Sequence, residues 1–471
     1  MAPKMTQEDE KRMGEISLQT ILDRIREENI EFIDLQAVDL NGRLRRVTLP
    51  AANLDDSILS AGVGFDSSSY GLSTPEDSDM VLVPDLASAT RDPFREAPSL
   101  MFFSNILHTD SGRSRYADDP RWIAMKAEQA LQKLGVAEQS WWAPEYEFYI
   151  FPEVEFCNTP TDAMVRVELG EFFVPTAYHA TPPLDRYIDF RDTAVHILND
   201  LGVDVRYHHH EGGRAGQQEI EGVFTGLLEA GDRSILVKYT LNNLAKRFGY
   251  QLTFMPKPVL GHAGNGWHCH QYLTHADKNI FYKAGGGFGN LSLTAQHYVG
   301  GLLKHTPALM AFTNPTTNSY KRMVEGHEAP VAMSFGQANR HSAIRIPKYV
   351  ANPERTRIEF RPPDPMANPY LALAGMLMAG MDGILKRVDP QTEGFAHADA
   401  DTRGDRRGQK PSLPRTLDEA LDALEIDHGF LTAEGVFSEA LIERWIQLKR
   451  KEARSVYDRP HPYEFELYFD L

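Results

Sequence analysis

From Trp141 the chain reads "WWAPEYEFYIF", in which polar and apolar positions alternate. A two-residue period predicts a strand, with Tyr146, Phe148 and Ile150 on one face and Glu145, Glu147 and Tyr149 on the other. The first face can build a core, whereas the second sets two carboxylates side by side. The same division recurs further on. In "HHHEGGRAGQQEIE" Glu211 precedes a glycine-rich turn, after which Glu219 and Glu221 share a face. "NGWHCHQYL" puts His268 and His270 opposite Trp267 and Cys269, and "RIEFRPPDP" puts Arg357, Glu359 and Arg361 opposite Ile358 and Phe360. Any one of these is an ordinary strand with a solvated polar face, and "HHH" at His208 to His210 is by itself no more than surface or core imidazoles. Four such segments, each with acids, His or Arg on the polar side, predict strands that converge to line a funnel.

The rest of the pattern is mixed. Leu18, Ile21, Leu22 and Ile25 follow the helical period behind Ser17, a good N-cap. "EFIDLQAVDLNGRLRRVTLP" alternates around Asn41-Gly42 and predicts a hairpin. Short strands in "GFDSSSYG" and "SDMVLVPDLAS" complete a small α+β unit ending near "RSRYADDPR". The helix "PRWIAMKAEQALQKLG" opens the remainder, where helices and strands intermix without a regular β-α rhythm, so an α+β fold is predicted there too. The division is a polar leader over 1–16, an N-terminal domain over 17–115 and a large C-terminal domain over 116–471. "YLALAGMLMAGMDGILKR" from Tyr370 is broken by Asp382 and reads as a buried helix, not a membrane span. "KAGGGFGN" from Lys283 reads as a glycine-rich loop tip, and "HADADTRGDRRGQKPSLP" from His397 as an exposed charged loop before the helical "TLDEALDALE".

Composition narrows the chemistry. A chain of 471 residues exceeds one ordinary core, and a formal net charge of −17 argues against a general nucleic-acid binder. Two cysteines, Cys157 and Cys269, exclude a disulfide framework and point to a reducing compartment. The acid-rich "MAPKMTQEDEKRMGEIS" has neither a secretion nor a transit character, so a cytoplasmic location is predicted. Adjacent Glu145 and Glu147 need a proton, an arginine or a cation between them. An oxygen-rich set with imidazole suits Mg²⁺ or Mn²⁺, while structural zinc would call for cysteines.

In order along the chain, "PEYEF", "HHEGGRAGQQEIE", "FMPKPVLGHAGNGWHCH", "NPTTNSYKR", "GHEAPV" and "RIEFRPPDPMANPYLALA" resemble glutamine synthetase of the prokaryotic class I branch. The likeness runs from "GFDSSSYG" to the closing "RPHPYEFELYFDL". It implies a small β-grasp-like N-terminal domain and a catalytic domain whose curved antiparallel sheet forms a funnel between subunits of a dodecamer of two hexameric rings. It also implies ATP-dependent amidation of the glutamate side chain by ammonia through γ-glutamyl phosphate. Two or more divalent ions are implied per site, one held by Glu147, Glu211 and Glu219, the other by Glu145, His268 and Glu359. Arg340, Arg345, Arg357 and His270 fall at nucleotide or phosphate positions. Arg322 falls at the α-carboxylate of glutamate, Gly264 in the substrate loop and Arg361 near the reacting carboxylate. Asp66, contributed across a subunit interface, falls with Tyr178, Glu211 and Glu328 around the ammonium, Glu328 lying on a closing flap.

The chain departs from the family pattern in three places. It reads "FDSSS" for "FDGSS", "QANRH" for "ARNRS", and carries Ala263 where an asparagine precedes the glycine of the substrate loop. The charged loop after His397 lacks the tyrosine of the adenylylated branch. Two other functions remain open: a γ-glutamyl amide ligase taking a polyamine or another primary amine, and a non-catalytic scaffold or nitrogen-sensing relative.

Overall fold

The computed structural model describes residues 16–169, 177–324, 329–350, 352–397 and 412–470. The leader up to residue 15, Glu328 and the charged loop beyond His397 lie outside the described residues.

The N-terminal part contains helix α1 (Leu18–Glu27) and strands β1 (Phe32–Val38), β2 (Leu44–Pro50), β3 (Val63–Asp66), β4 (Asp79–Pro84), β5 (Thr90–Arg91) and β6 (Ser99–His108). Ser17 caps α1 by accepting from the Thr20 amide at 3.2 Å. The sheet order is β2-β1-β6-β4-β3, with β5 on β6, and β1 runs parallel to β6. Asn41-Gly42 turns the β1–β2 hairpin as its sequence predicts. Gly42 sits at φ +84°, and a Cβ there would come 2.9 Å from Asn368 Cα, so the turn docks backbone to backbone on the other domain. Asn368 reciprocates, its carboxamide donating to the Asp39 and Leu40 carbonyls at 3.1 and 3.2 Å.

Beyond it come α2 (Pro120–Lys133), α3 (Ile188–Asp200), α4 (Leu227–Arg247), α5 (Leu293–Thr313), α6 (Pro369–Lys386), α7 (Leu417–Ile426) and α8 (Glu439–Tyr457). The strands are β7 (Gln139–Phe151), β8 (Glu153–Asn158), β9 (Ala163–Glu168), β10 (Val205–His210), β11 (Gln217–Gly222), β12 (Gln251–Thr253), β13 (Cys269–His275), β14 (Lys278–Asn279), β15 (Tyr282–Gly286), β16 (Ala332–Gln337), β17 (Ser342–Ile346), β18 (Ile358–Phe360) and β19 (Ala396–His397). The large sheet runs β10-β11-β7-β13-β18-β17-β16-β19, with β12 on β7 and β14 on β13. It is antiparallel as far as β17 and parallel where β16 meets β17 and β19.

Tyr146, Phe148 and Ile150 bury one face of β7 in the main core. Helix α6, apolar nearly all round, is buried as predicted and crosses α5 at Gly301 and Gly383, where a Cβ on either would overlap the other's backbone. The "KAGGGFGN" stretch differs from the loop expectation, because Tyr282 bridges to Leu291 and Tyr282–Gly286 is extended. The β8–β9 hairpin stands apart from the large sheet as a pair of its own.

Candidate active site

Cross-strand register assembles the polar faces into two rows. His209 on β10 pairs with Glu219 on β11, which pairs with Glu147 on β7. His270 on β13 pairs with Glu359 on β18, which pairs with Arg345 on β17. Directly opposed residues on one face of a sheet lie about 5 Å apart, so pairing alone gathers each set. Glu145 and His268 lie between the rows: His268 Nδ1 is 3.0 Å from Glu145 Oε2 and 3.8 Å from Glu147 Oε1. Glu145, Glu147, Glu211, Glu219, His268 and Glu359 all line one cavity of about 860 Å³.

Their electrostatics differ from row to row. Burial pushes Glu145 up, but His270 and His268 outweigh it and hold the carboxyl well below its ordinary range. Glu359 is fully buried and ion-paired with Arg361 and Arg345. Against burial, Arg361, together with His270 and Arg345, brings its pKa down to about 2. Glu211 and Glu219 go the other way. Burial first, then the neighbouring acids, push both well above the usual carboxylate range. Among the described residues, Glu211 Oε2 is also buried without a hydrogen-bond partner, His209 Nδ1 lying 3.5 Å away. This side is short of positive charge.

The donor set fits divalent cations. Ligand atoms of His209, Glu211 and Glu219 all lie within 4.8 Å of one another, as do those of Glu145, His270 and Glu359. These groupings keep most of the acids of the implied ligand sets but bring in His209 and His270, while Glu147 and His268 stand adjacent. Glu147 is held by the Gly266 amide at 2.7 Å and the Gln217 carboxamide at 3.2 Å. Burial and Arg361 lower the pKa of His268, so its ring stays neutral, the form that ligates metals.

Arg322 is buried, and four of its N–H directions are taken. Nη1 donates to the carbonyls of Pro362 and Pro363 at 2.9 and 3.3 Å, and Nη2 to Arg361 O and His268 Nε2 at 3.2 and 3.1 Å. A guanidinium has five N–H groups, so among the described residues Nε–H alone has no acceptor. The loop at Gly264 closes tightly on it, since a Cβ on Gly264 would come 2.7 Å from Arg322 Cγ. Gln217 ties loop to acids: it accepts from the Gly213 amide at 2.8 Å and donates to Gly264 O and Asn265 Oδ1, each at 3.1 Å. Tyr149 anchors the other side by donating to Ala263 O at 2.7 Å.

Other predicted residues are placed as follows. Arg340, Arg345, Arg361, Gly264 and Tyr178 line the cavity. Tyr178 stacks on His179 at 4.0 Å and meets His209 edge-on at 5.3 Å. Arg357 donates to His270 Nδ1 at 3.3 Å, and His270 Nε2 lies 2.7 Å from Glu145 Oε1. This buried pair backs the wall and is not on the cavity lining. Asp66 is exposed and also outside the lining of its own chain. It caps its own turn, accepting from Ser68 N at 2.9 Å and from the Ser68 and Ser69 hydroxyls at 2.6 and 2.7 Å. Those hydroxyls, Ser68 first, lower its pKa to about 2. His209 and Gln217 are functional-site neighbours that the motifs do not single out. Period-two spacing from Glu211 was the available signal for His209, and nothing short of the fold marks Gln217.

Comparison with known proteins agrees with this arrangement. Residues 117–468 match the family model "Glutamine synthetase, catalytic domain", and residues 29–109 match "Glutamine synthetase, beta-Grasp domain". The chain is 40% identical to a glutamine synthetase of Frankia alni over 96% of this chain and 98% of the relative. It is 41% identical to one of Mycobacterium tuberculosis over 95% and 97% of the respective chains. Among solved structures it is similar to a Plasmodium falciparum glutamine synthetase, with a TM-score of 0.86 and 26% identity, covering 96% of this chain and 98% of that one. It is also similar to an apo GmaS, with a TM-score of 0.81 and 28% identity over 97% and 100%. A β-grasp domain joined to a curved sheet with rows of inward-facing acids is thus this chain's inheritance: it belongs to the glutamine synthetase family.

Proposed function

We propose that the protein joins glutamate to ammonia at the expense of ATP, giving glutamine, ADP and phosphate through γ-glutamyl phosphate. One observation carries the reading: the two acid rows and the arginines Arg322, Arg340, Arg345 and Arg361 face a single cavity. Carboxyl activation by ATP needs that pairing of charges, because phosphoryl transfer depends on positioning and neutralisation more than on covalent help. Glu147, Glu211 and Glu219, with His209, would hold one dication, and Glu145 and Glu359, with His268 or His270, the other. Bound Mg²⁺ or Mn²⁺ would offset the phosphate charge of ATP.

The chain's own groups do the rest. Arg322 offers Nε–H to the α-carboxylate, and Gly264 lets the loop approach without a side chain. Arg340 and Arg345 neutralise phosphate oxygens, Arg345 having a buried Nε without a hydrogen-bond partner among the described residues. Arg361 stands beside the reacting carboxylate. Arg357 positions His270 behind the nucleotide side. Tyr178 and Glu211 attract ammonium, and Glu328 closes over the acyl phosphate to keep water out. Asp66 completes the ammonium pocket of a neighbouring subunit, in keeping with its exposure and its absence from its own cavity. Such sharing requires a homo-oligomer, and the family resemblance supports a dodecamer of two hexameric rings.

The domain division is placed at 115/116, inside the segment that neither family model covers. A cytoplasmic location is proposed, and among the described residues no helix is long and apolar enough to cross a membrane.

A second reading, a γ-glutamyl amide ligase for a primary amine, is favoured by Ala263, which leaves the substrate loop without a side-chain amide. The test is ATP-dependent phosphate release with glutamate and ammonium, compared with putrescine, ethanolamine and methylamine. Preference for ammonium supports the first reading, and preference for an amine replaces it with the second. Turnover with none of them defeats both in favour of a scaffold.

A further inference from the structure

Away from the acid rows, a second cavity of about 510 Å³ opens where the Asn41-Gly42 turn, α4 and α8 meet. Its charged lining is Arg43, Lys238, Lys449 and Glu452. Lys449 donates to Glu452 at 2.8 Å and lies 4.9 Å from the Trp445 ring centre, so those two opposite charges are matched. Of the other two lining cations, Arg43 is exposed and Lys238 feels the buried Asp364, which is not part of the lining. The lining therefore carries two more cations than anions, in a chain of net charge −17. The half-buried Lys238 ammonium donates once, to Ala367 O at 3.3 Å, out of three possible bonds. Burial pushes its pKa down to about 8, which an anion at its side would reverse.

The cavity shares walls with the Arg322 cradle. Thr316 and Met366 both line it. Thr316 begins the turn that leads to Arg322, and Asn318 in that turn accepts from Lys257 N at 2.7 Å. Met366 N donates to Asp364 at 3.0 Å, and Asn314 donates to the same carboxyl at 3.0 Å. Asp364 acts electrostatically on Lys238 and on Arg322.

We propose that this cavity is a regulatory site for a small oxyanion, a carboxylate or a phosphate group held by Lys238 and Arg43, felt at Arg322 through Asp364. Negative charge beside Lys238 favours protonation of Asp364, weakens its bonds to Asn314 and Met366, and loosens the Thr316–Arg322 turn. The binding half stands on the cavity alone, whereas the relay rests on Arg322's proposed contact with glutamate.

The experiment is calorimetric titration of the full-length oligomer at constant ionic strength. Sulfate serves as probe for phosphate-like ligands and malonate for carboxylates. Saturable binding of either is expected, weakened about tenfold or more in Lys238→Met by loss of a charge-assisted bond. Asn242→Asp, which adds a negative charge to the lining, weakens it in the same direction. Saturable sulfate alone identifies a phosphate-type site, and malonate alone a carboxylate-type site. Equal affinity in the wild type and Lys238→Met, or no saturable binding of either anion, overturns the site. The saturating anion should raise the glutamate KM at least threefold in the wild type and not in Lys238→Met. An unchanged KM overturns the relay. Binding that depends on Lys238 in a protein without ATP turnover upholds the site while the proposed reaction fails.

Discussion

Replacing Glu219 by glutamine should make the metal-free protein more stable and the metal-loaded protein less so. Glu219 lies opposite Glu147 on the adjoining strand, with Glu211 beside it, and both Glu211 and Glu219 have their pKa values raised by burial and by like charges. Two unit charges about 5 Å apart at an effective dielectric of ~20 repel by about 3 kcal/mol. Partial protonation lowers the real repulsion, so relief of about 1–3 kcal/mol is expected, a rise in Tm of a few degrees for a domain this large. The sign with pH follows from linkage. Raised folded-state pKa values mean that this contribution to stability is fully present below the ordinary carboxylate range and is lost as pH rises through the raised values. The chelated wild type should therefore lose stability from pH 5 to pH 8, and chelated Glu219→Gln should lose less. The assay is thermal unfolding across that range, in EDTA and in excess Mn²⁺. The metal should raise the wild-type Tm strongly and the variant's much less. A variant that melts below the wild type in EDTA at pH 8, or gains as much from Mn²⁺, would refute the reasoning.

Arg322→Lys keeps the charge but cannot satisfy the carbonyls of Arg361, Pro362 and Pro363 together with the α-carboxylate contact proposed for Arg322. Loss of one charged hydrogen bond to substrate, about 1.5–3 kcal/mol, predicts a glutamate KM raised about 10- to 150-fold with the ATP KM little changed, measured by steady-state kinetics. His305 on α5 bonds Asp382 at 2.9 Å and Asp427 at 2.7 Å. Although burial opposes it, those two bonds raise the histidine's pKa. The resulting stability is fully present below the unfolded pKa and is lost as pH rises through the raised folded one. Chemical denaturation should show a decline from pH 6 to pH 9 that His305→Gln largely removes.

Much of this was legible because local chemistry agrees with the fold. The Asn41-Gly42 hairpin, the Ser17 cap and the buried α6 follow from turn preference, capping and apolar content. The alternation in β7 correctly separated Tyr146, Phe148 and Ile150 from Glu145 and Glu147. Spacing within a strand cannot say which residues meet across strands. Register decided that His209 stands by Glu219 and His270 by Glu359, and it placed His270 and Arg357 behind the wall. Nor could sequence show that Arg322 has four donors engaged by its own chain, since three acceptors are backbone carbonyls some forty residues away and the fourth is the His268 ring. Asp66 is a case of another kind: within one chain it is the exposed cap of a serine-rich turn, and any reach into an active site belongs to an assembly.

Acids drawn from β7, the β10–β11 turn, β11 and β18 are proposed to form one cage for a pair of dications on which amidation depends. Mn²⁺ titration of the chelated protein, with free ion followed by electron paramagnetic resonance alongside turnover, measures it most directly. Two tight ions per chain are predicted, one fewer in Glu211→Gln, with turnover abolished by chelation and restored on refilling both sites. Fewer than two tight ions in the wild type, or turnover unaffected by thorough chelation, would contradict the account.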